Sequence, residues 1–442
     1  MNFLDPVFQI LTHFQDHPES NLKLLLNHTL KTQKSLPSPK TTLLVYDIIR
    51  RQQILDTVIK RFSRIRLEKI DPRNRVLLRM GVYLLLYSDA TPDHAAVNEI
   101  VGRSARSSRG FVNALLRNLA RQRHQVLKDL QEIRDPKIRY SISPLLVSEL
   151  NRISANSEED LQYLNTKPVF HLRANTRVLS VSRLRQHLTD RVVEFRELKP
   201  FQSFEVRNPG KILETVVNHG QGFFQNTGSQ LVSIVASRYA RGKVLDGCCA
   251  PGTKSMTLQL LKPDLKIVAN DINLKRVRMM QAFHELSRMT AKHMVVSDLT
   301  RPALRQGFDF ILLDAPCSSS GTMRKNPDLK LKIDRESLSS HSRLQARLLA
   351  TLLESHPQTW ILYSVCSFTE IETEAVLEQV AGKNVRVVTY NQDLSGILDE
   401  FGFSYKQGKW GIYLLPHLDL NNDLFYLSLI RREKSGKLGR VY

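Results

Sequence analysis

Val244-Leu245-Asp246-Gly247-Cys248-Cys249-Ala250-Pro251-Gly252-Thr253-Lys254 reads as a short apolar strand that stops at an acid, turns through small residues and enters a helix. Small residues let a ligand approach the backbone closely, and a helix start over 255–261 offers unpaired N–H groups. The turn is not GxGxxG and lacks the spacing of a phosphate-cradling P-loop. Outward from this stretch the same pattern recurs. Apolar segments at 244–246, 267–271, 294–298, 308–314 and 360–366 are each followed by a loop and usually a helix. Strands alternating with helices predict a parallel sheet covered on both faces, a Rossmann-like α/β layer. The five segments end in Asp246, Asp271, Asp298, Asp314 and Cys366. Open parallel sheets bind ligands just beyond the carboxyl ends of their strands.

Asp271 stands about 20 residues past the glycine turn, where an acid accepts hydrogen bonds from a ribose diol. Asp298 is positioned to accept from an adenine amino group. Each acid alone reads better as a cap or loop residue than as a ligand contact. Together with Cys248, Cys249, Ala250, Pro251, Gly252, Thr253 and Lys254 they point to an adenosine-containing cofactor, and S-adenosylmethionine suits a site without a phosphate motif. Asp314-Ala315-Pro316-Cys317 closes the fourth strand and Cys366-Ser367 the fifth. A thiol half-exposed at a strand end is reactive, whereas one packed in a core is inert. Thiols add to C6 of a pyrimidine and make C5 nucleophilic toward a sulfonium methyl, which is covalent catalysis. A free thiol ionises near about 8.5, so the site needs positive potential, for which Lys254, Arg324 and Lys325 are candidates. Asp314 is positioned to hold the ring N3 and share a proton as charge develops on the base. Methylation of an exocyclic amine calls for an Asn/Asp-Pro-Pro-aromatic strand end, and no such tetrapeptide occurs.

The 442-residue chain is 42% apolar and 24% charged, a composition that excludes general disorder. Its apolar runs are far shorter than the ~20 residues of a bilayer span, and the N-terminal stretch lacks signal-peptide character, so a cytoplasmic location is expected. The four cysteines form neither a CxxC pair nor a disulfide framework, and no metal site is expected. A formal net charge of +21 suggests a polyanionic partner, and residues 1–140 hold 24 basic against 13 acidic side chains. Within 1–140 the apolar spacing is helical: a run over 43–62, a nearly all-round apolar helix after Asp71-Pro72, a third from Pro92 and a fourth over 111–119. Residues 141–225 read as short mixed elements, including a strand near 168–173 and a helix near 181–188. Three regions follow: an all-α domain at 1–140, a small α/β linker domain at 141–225, and the Rossmann-like domain at 226–442.

The third region resembles the RNA 5-methylcytosine methyltransferases of the Sun/NOL/NOP family. The likeness lies in Val244-Leu245-Asp246 with Cys249-Ala250-Pro251-Gly252, in Asp314-Ala315-Pro316-Cys317-Ser318 and in Cys366-Ser367. At the front, Pro92-Asp93-His94-Ala95-Ala96-Val97-Asn98-Glu99 and Gly110-Phe111-Val112-Asn113-Ala114-Leu115-Leu116-Arg117-Asn118 resemble a NusB-type helical RNA-binding domain. The resemblance implies methylation of C5 of a cytosine in small-subunit (16S) ribosomal RNA by a cytoplasmic monomer. It implies Cys366 as the nucleophile toward C6, Cys317 as the group aiding product release, and residues 248–254 with Asp271, Asp298 and Asp314 as cofactor contacts. Arg324 falls in a loop near the target RNA. Arg103, Arg106, Arg109 and Arg117 are then expected on RNA phosphates, contacts that position without reading sequence. The stretch from Gln225 to Gln230 resembles the family motif that leads into the pocket. Departures include Thr253 where the family carries glycine, Glu370-Ile371-Glu372 in place of Pro-Glu-Glu, and Asp423-Leu424-Phe425-Tyr426 in place of Asp-Gly-Phe-Phe. Two alternatives stand beside this reading: the same chemistry on transfer RNA, or a noncatalytic RNA-binding assembly or antitermination factor.

Overall fold

The computed structural model describes residues 3–32, 39–88, 91–207, 210–289, 293–302, 304, 307–381 and 387–433. Two compact units form, and neither is a single stretch of chain. One comprises residues 1–148, 157–165 and 323–333; the other comprises 149–156, 166–322 and 334–442.

The first unit is all helical. Its centre is the helix Pro72–Tyr87, capped by Asp71, whose side chain accepts from Asn74 N at 3.0 Å. Val76, Leu77, Leu78, Met80, Val82, Leu84 and Leu85 of that helix are buried on every side, among helices Leu4–Asp16, Gln52–Phe62, Asp93–Arg103 and Arg109–Arg121. The single apolar run expected over 43–62 is two helices, Pro39–Arg50 and Gln52–Phe62, with a break at Arg51. At the break Gln53 N donates to Ser141 Oγ at 3.1 Å, and the buried Asp47 faces Arg50 and Arg51 at 3.6 Å each. Residues 323–333, far along the chain, complete this unit. Arg50 Nη2 donates to the Arg324 carbonyl at 2.9 Å, and Lys330 Nζ donates to the Tyr140 carbonyl at 3.0 Å and to Asn165 Oδ1.

The second unit contains two sheets. The smaller, within the stretch expected as a linker domain, is built from β1 (Phe170–Ala174), β2 (Phe195–Leu198), β3 (Ser203–Val206) and β4 (Gly222–Phe224) in the order β2-β3-β1-β4, antiparallel throughout. The larger contains β5 (Lys243–Asp246), β6 (Lys266–Asp271), β7 (His293–Val296), β8 (Phe310–Asp314) and β9 (Trp360–Val365), joined in parallel. These are the five segments read from the sequence. The sheet is nonetheless mixed. Strands β10 (Val387–Thr389), β11 (Tyr405–Gln407), β12 (Ile412–Leu414) and β13 (Phe425–Arg432) extend it, and β13 pairs antiparallel with β9. The strand order is β11-β12-β13-β9-β8-β5-β6-β7. Chain order reverses between β5 and β8, and at such a switch point loops leave in opposite directions and open a crevice.

Candidate active site

The β5 turn supplies one wall of the crevice. Asp246 is 1% exposed and accepts from Ser255 Oγ at 2.5 Å, while its Oδ1 has no partner. Burial raises its pKa to about 7; the Ser255 bond opposes the shift, and nearby Asp314 and Asp271 add to it. Gly252 is the N-cap of helix Thr253–Leu261 with φ +96°, and a Cβ there would lie 2.8 Å from both His284 Nε2 and Met280 Cγ. Only glycine meets both demands. Thr253 is the first residue of the helix itself, so the departure from glycine falls where an ordinary side chain is at home. Asp271 is buried at the end of β6, with Oδ1 accepting from Asn273 N at 2.9 Å. Asp298 accepts from Thr300 N and Oγ1 at 2.9 and 2.8 Å, bonds that lower its pKa. Asn270, between these loops, donates to the Gly247 and Ser297 carbonyls at 3.0 and 3.2 Å and ties them together.

The thiols stand beyond the neighbouring strand ends. Cys317 Sγ and Cys366 Sγ lie 3.4 Å apart beyond β8 and β9, and both residues are half-buried. The Cys317 bond lowers the pKa of Cys366 despite burial and Asp314; the hydrogen bond between Cys366 Sγ and Ser319 Oγ at 3.4 Å and the Lys254 charge also lower it. Cys317 moves the other way, raised first by the same bond and then by burial. The pair therefore divides into a Cys317 thiol that donates and a Cys366 sulfur inclined to the thiolate. Asp314 accepts from Lys254 Nζ at 2.5 Å on Oδ2 and from Ser364 Oγ at 2.8 Å on Oδ1. Burial opposes the charge on Lys254, but the Asp314 ion pair and hydrogen bond outweigh it and raise the pKa. Burial and the surrounding acids push both Cys248 and Cys249 far upward, so neither thiol is set up to react.

Residues 236–431 match the model of the 16S rRNA methyltransferase RsmB/F family, and residues 5–121 match that of the NusB family. Over 236–431 the chain is thus similar to the RsmB/F methyltransferase family, and over 5–121 to the NusB family. It is 28% identical over 440 residues to ribosomal RNA small subunit methyltransferase B of Pasteurella multocida, covering 96% of this chain and 94% of that one. It is 26% identical to a probable ribosomal RNA small subunit methyltransferase B of Coxiella burnetii, covering 80% and 83% of the two chains. Among solved structures, PH0851 shares the fold over 96% of this chain and 98% of its own, with a TM-score of 0.72 at 20% identity. NSun6 from Pyrococcus horikoshii does so over 66% and 99%, with a TM-score of 0.55 at 16% identity.

S-adenosylmethionine is the cofactor of this family, and the crevice fits it. The four acids Asp246, Asp271, Asp298 and Asp314 outnumber the cations paired with them among the described residues, Lys254 on Asp314 and Arg301 at 3.8 Å from Asp298, a balance suited to a sulfonium and an ammonium rather than to phosphates. The unpartnered Asp246 Oδ1 is a buried acceptor still to be satisfied. Among the described residues no cluster of His, Cys, Asp or Glu could hold a metal ion, and no helix is long and apolar enough to cross a membrane.

The structure brings Cys317, Cys366, Asp314 and Lys254 together. The arginines divide differently. Arg106, Arg109 and Arg117 are exposed. Arg103 is engaged by Asp5 and Glu99 at 2.7 Å each. Arg324 is 4% exposed with its guanidinium 4.2 Å from the Tyr163 ring centroid, so the expectation that it faces RNA is corrected here: it is a packing residue. The stretch 225–230 also has a structural duty. Asn226 Oδ1 accepts from Gly228 N and Asp423 N at 3.0 and 2.7 Å, pinning the start of helix Thr227–Tyr239 to the loop before β13. Ser319, Ser364 and Gln345 carry no motif in the sequence, and Glu372 stands there only within the Glu370-Ile371-Glu372 departure. The repeated Cys-Ser pair at 317–318 and 366–367 was the available signal.

Proposed function

We propose that the chain transfers a methyl group to C5 of a cytosine in small-subunit ribosomal RNA through a transient bond between Cys366 Sγ and C6 of the base. The observation that carries this reading is the thiol pair at 3.4 Å, with Cys366 driven toward the thiolate by Cys317, Ser319 and Lys254. The bound cofactor supplies the electrophilic methyl. Cys366 contributes its electron pair to C6, and the C5–C6 π pair becomes available at C5 for that methyl. The negative charge that spreads to N3 is matched by Asp314, which shares a proton with Lys254 Nζ. Cys317 then relays the C5 proton, its sulfur accepting it as the thiol's own proton passes to solvent; the C5–C6 double bond re-forms, and the S–C6 bond breaks to free Cys366 as the thiolate. Both faces of the ring must be reached, so the target cytosine is unstacked from its neighbours. Arg106, Arg109 and Arg117 of the helical unit grip the flanking phosphates. We assign the chain to the cytoplasm, where this RNA is found.

Purified protein incubated with unmodified small-subunit ribosomal RNA and methyl-labelled S-adenosylmethionine tests the reading. Label is expected in 5-methylcytosine, absent with Cys366→Ala, and absent from transfer RNA run in parallel. Full transfer by Cys366→Ala would falsify the nucleophile assignment, and label in transfer RNA alone would move the substrate.

A further inference from the structure

Each reacting cysteine is followed by a serine, and both serines donate to the same buried carboxylate. Glu372, in the short turn Glu370–Glu372 after β9, is 0% exposed. Its Oε1 accepts from Ser318 N at 2.7 Å and from Gln345 Nε2 at 3.3 Å. Its Oε2 accepts from Ser318 Oγ at 2.5 Å, Ser367 Oγ at 2.6 Å and Thr369 Oγ1 at 3.3 Å. Among the described residues no cation lies within ion-pair distance of it. A buried carboxylate is tolerated only when its lone pairs are filled, and these five bonds fill them with donors from both cysteine loops. Gln345, from helix Arg335–Ser355, also donates to the Pro316 carbonyl at 2.8 Å, so the residue before Cys317 is held by the same network.

We propose that Glu372 is a positioning residue that sets the separation of the Cys317 and Cys366 sulfurs by clamping the loops on which they stand. It touches neither sulfur. Its effect passes through Ser318 and Ser367, whose backbones are continuous with the two cysteines. The proposal rests on the reading of these thiols as the reacting pair. A carboxylate is required because both oxygens must accept. Glutamine presents one acceptor and one donor and keeps part of the clamp; methionine, of similar length, keeps none of it.

The test reads the thiol separation without reference to RNA. Diamide, which takes up two hydrogens as the two thiols join, is added to wild type, Glu372→Met, Glu372→Gln, Ser318→Ala and Ser367→Ala. The Cys317–Cys366 disulfide is followed by peptide mapping. In Glu372→Met, cross-linking is expected to slow about 10-fold, because a disulfide forms only over a narrow Cα and Cβ separation. Methylation kcat should fall about 100-fold, the scale of a misplaced reacting group, with KM for S-adenosylmethionine unchanged. Glu372→Gln should recover part of both losses, as a merely space-filling residue would not. Wild-type cross-linking speed in Glu372→Met overturns the proposal and leaves the methylation reading in place. Slow cross-linking in the variant beside a wild type inactive on RNA upholds Glu372 and overturns the methylation reading. If Glu372→Met no longer binds cofactor, the serine variants decide: unchanged cross-linking in both overturns the clamp, and slowing in either upholds it.

Discussion

Two protons in the crevice are held for different reasons. The proton on Cys317 is held by its bond to Cys366, which favours the thiolate on the partner. A hydrogen bond to a charged group is worth roughly 1.5–3 kcal/mol, or roughly one to two pH units. Cys317→Ala should therefore raise the pH midpoint for alkylation of Cys366 by iodoacetamide by about one unit or more. An unmoved midpoint would assign the thiolate's stability to Lys254 and Ser319 alone. Asp246 is different, because burial comes first among the causes that raise it to about 7. Its folded pKa lies above its unfolded value, so its contribution to stability is complete below about pH 4 and lost as pH rises through about 7. Asp246→Asn, permanently neutral, should stabilise the protein relative to wild type at pH 8.5, by at most on the order of 2–4 kcal/mol. At pH 4 the two should melt together. Equal melting differences at both values would show that the acid does not titrate in the window its burial dictates.

At the scale of elements, the loop from Ser318 to Thr322 lies close against two others. Gly321 N donates to the Cys366 carbonyl at 3.0 Å, and its own carbonyl accepts from Leu424 N at 3.2 Å. A Cβ at Gly321 would come within 2.1 Å of the Leu424 carbonyl oxygen and 3.1 Å of that of Cys366. Backbone atoms cannot swing aside, so Gly321→Ala should cost about 1–3 kcal/mol in urea unfolding and displace the cysteine loops enough to depress kcat. A variant with wild-type stability and rate would mean that the loop has room to move. The five parallel strands were legible because each is a short apolar run ending in a chemically useful residue, and Asp314, Cys317 and Cys366 were legible with them. The antiparallel strands β10–β13 were not, since β10, β11 and β12 are only three residues long and β13 pairs with β9, whose Val365 lies 61 positions before Tyr426. The break at Arg51 was equally hidden: helical spacing continues through 43–62, while the group satisfying Gln53 N is Ser141, 88 residues away. Glu372 escaped for the same reason, because its importance lies in bonds to residues 5 and 54 positions off.

For the whole molecule, the charge excess becomes a statement about RNA affinity. Each phosphate neutralised on a single strand contributes about 0.7 to the slope of log affinity against log salt. Replacing Arg106, Arg109 and Arg117 together by Gln should flatten that slope by about 2 in filter binding, with kcat at saturating RNA unchanged. A slope equal to wild type would move the phosphate contacts to another face. Arg324 and Lys330 belong to no such surface. Burial, with Arg50 and Arg51 nearby, drives the pKa of Lys330 well down, and both residues lie in the stretch 323–333 that completes the helical unit. That arrangement has a consequence for how the protein is made. The first 148 residues leave the ribosome long before residue 333 does, so the nascent helical unit waits, unfinished, while β1 to β8 are synthesised. Chains stalled after Thr322 should present a helical region more open to protease than chains stalled beyond Ser355. Biosynthesis thus binds the two halves of this enzyme into one timetable, in which the last pieces of the first unit arrive only after the first thiol of the second.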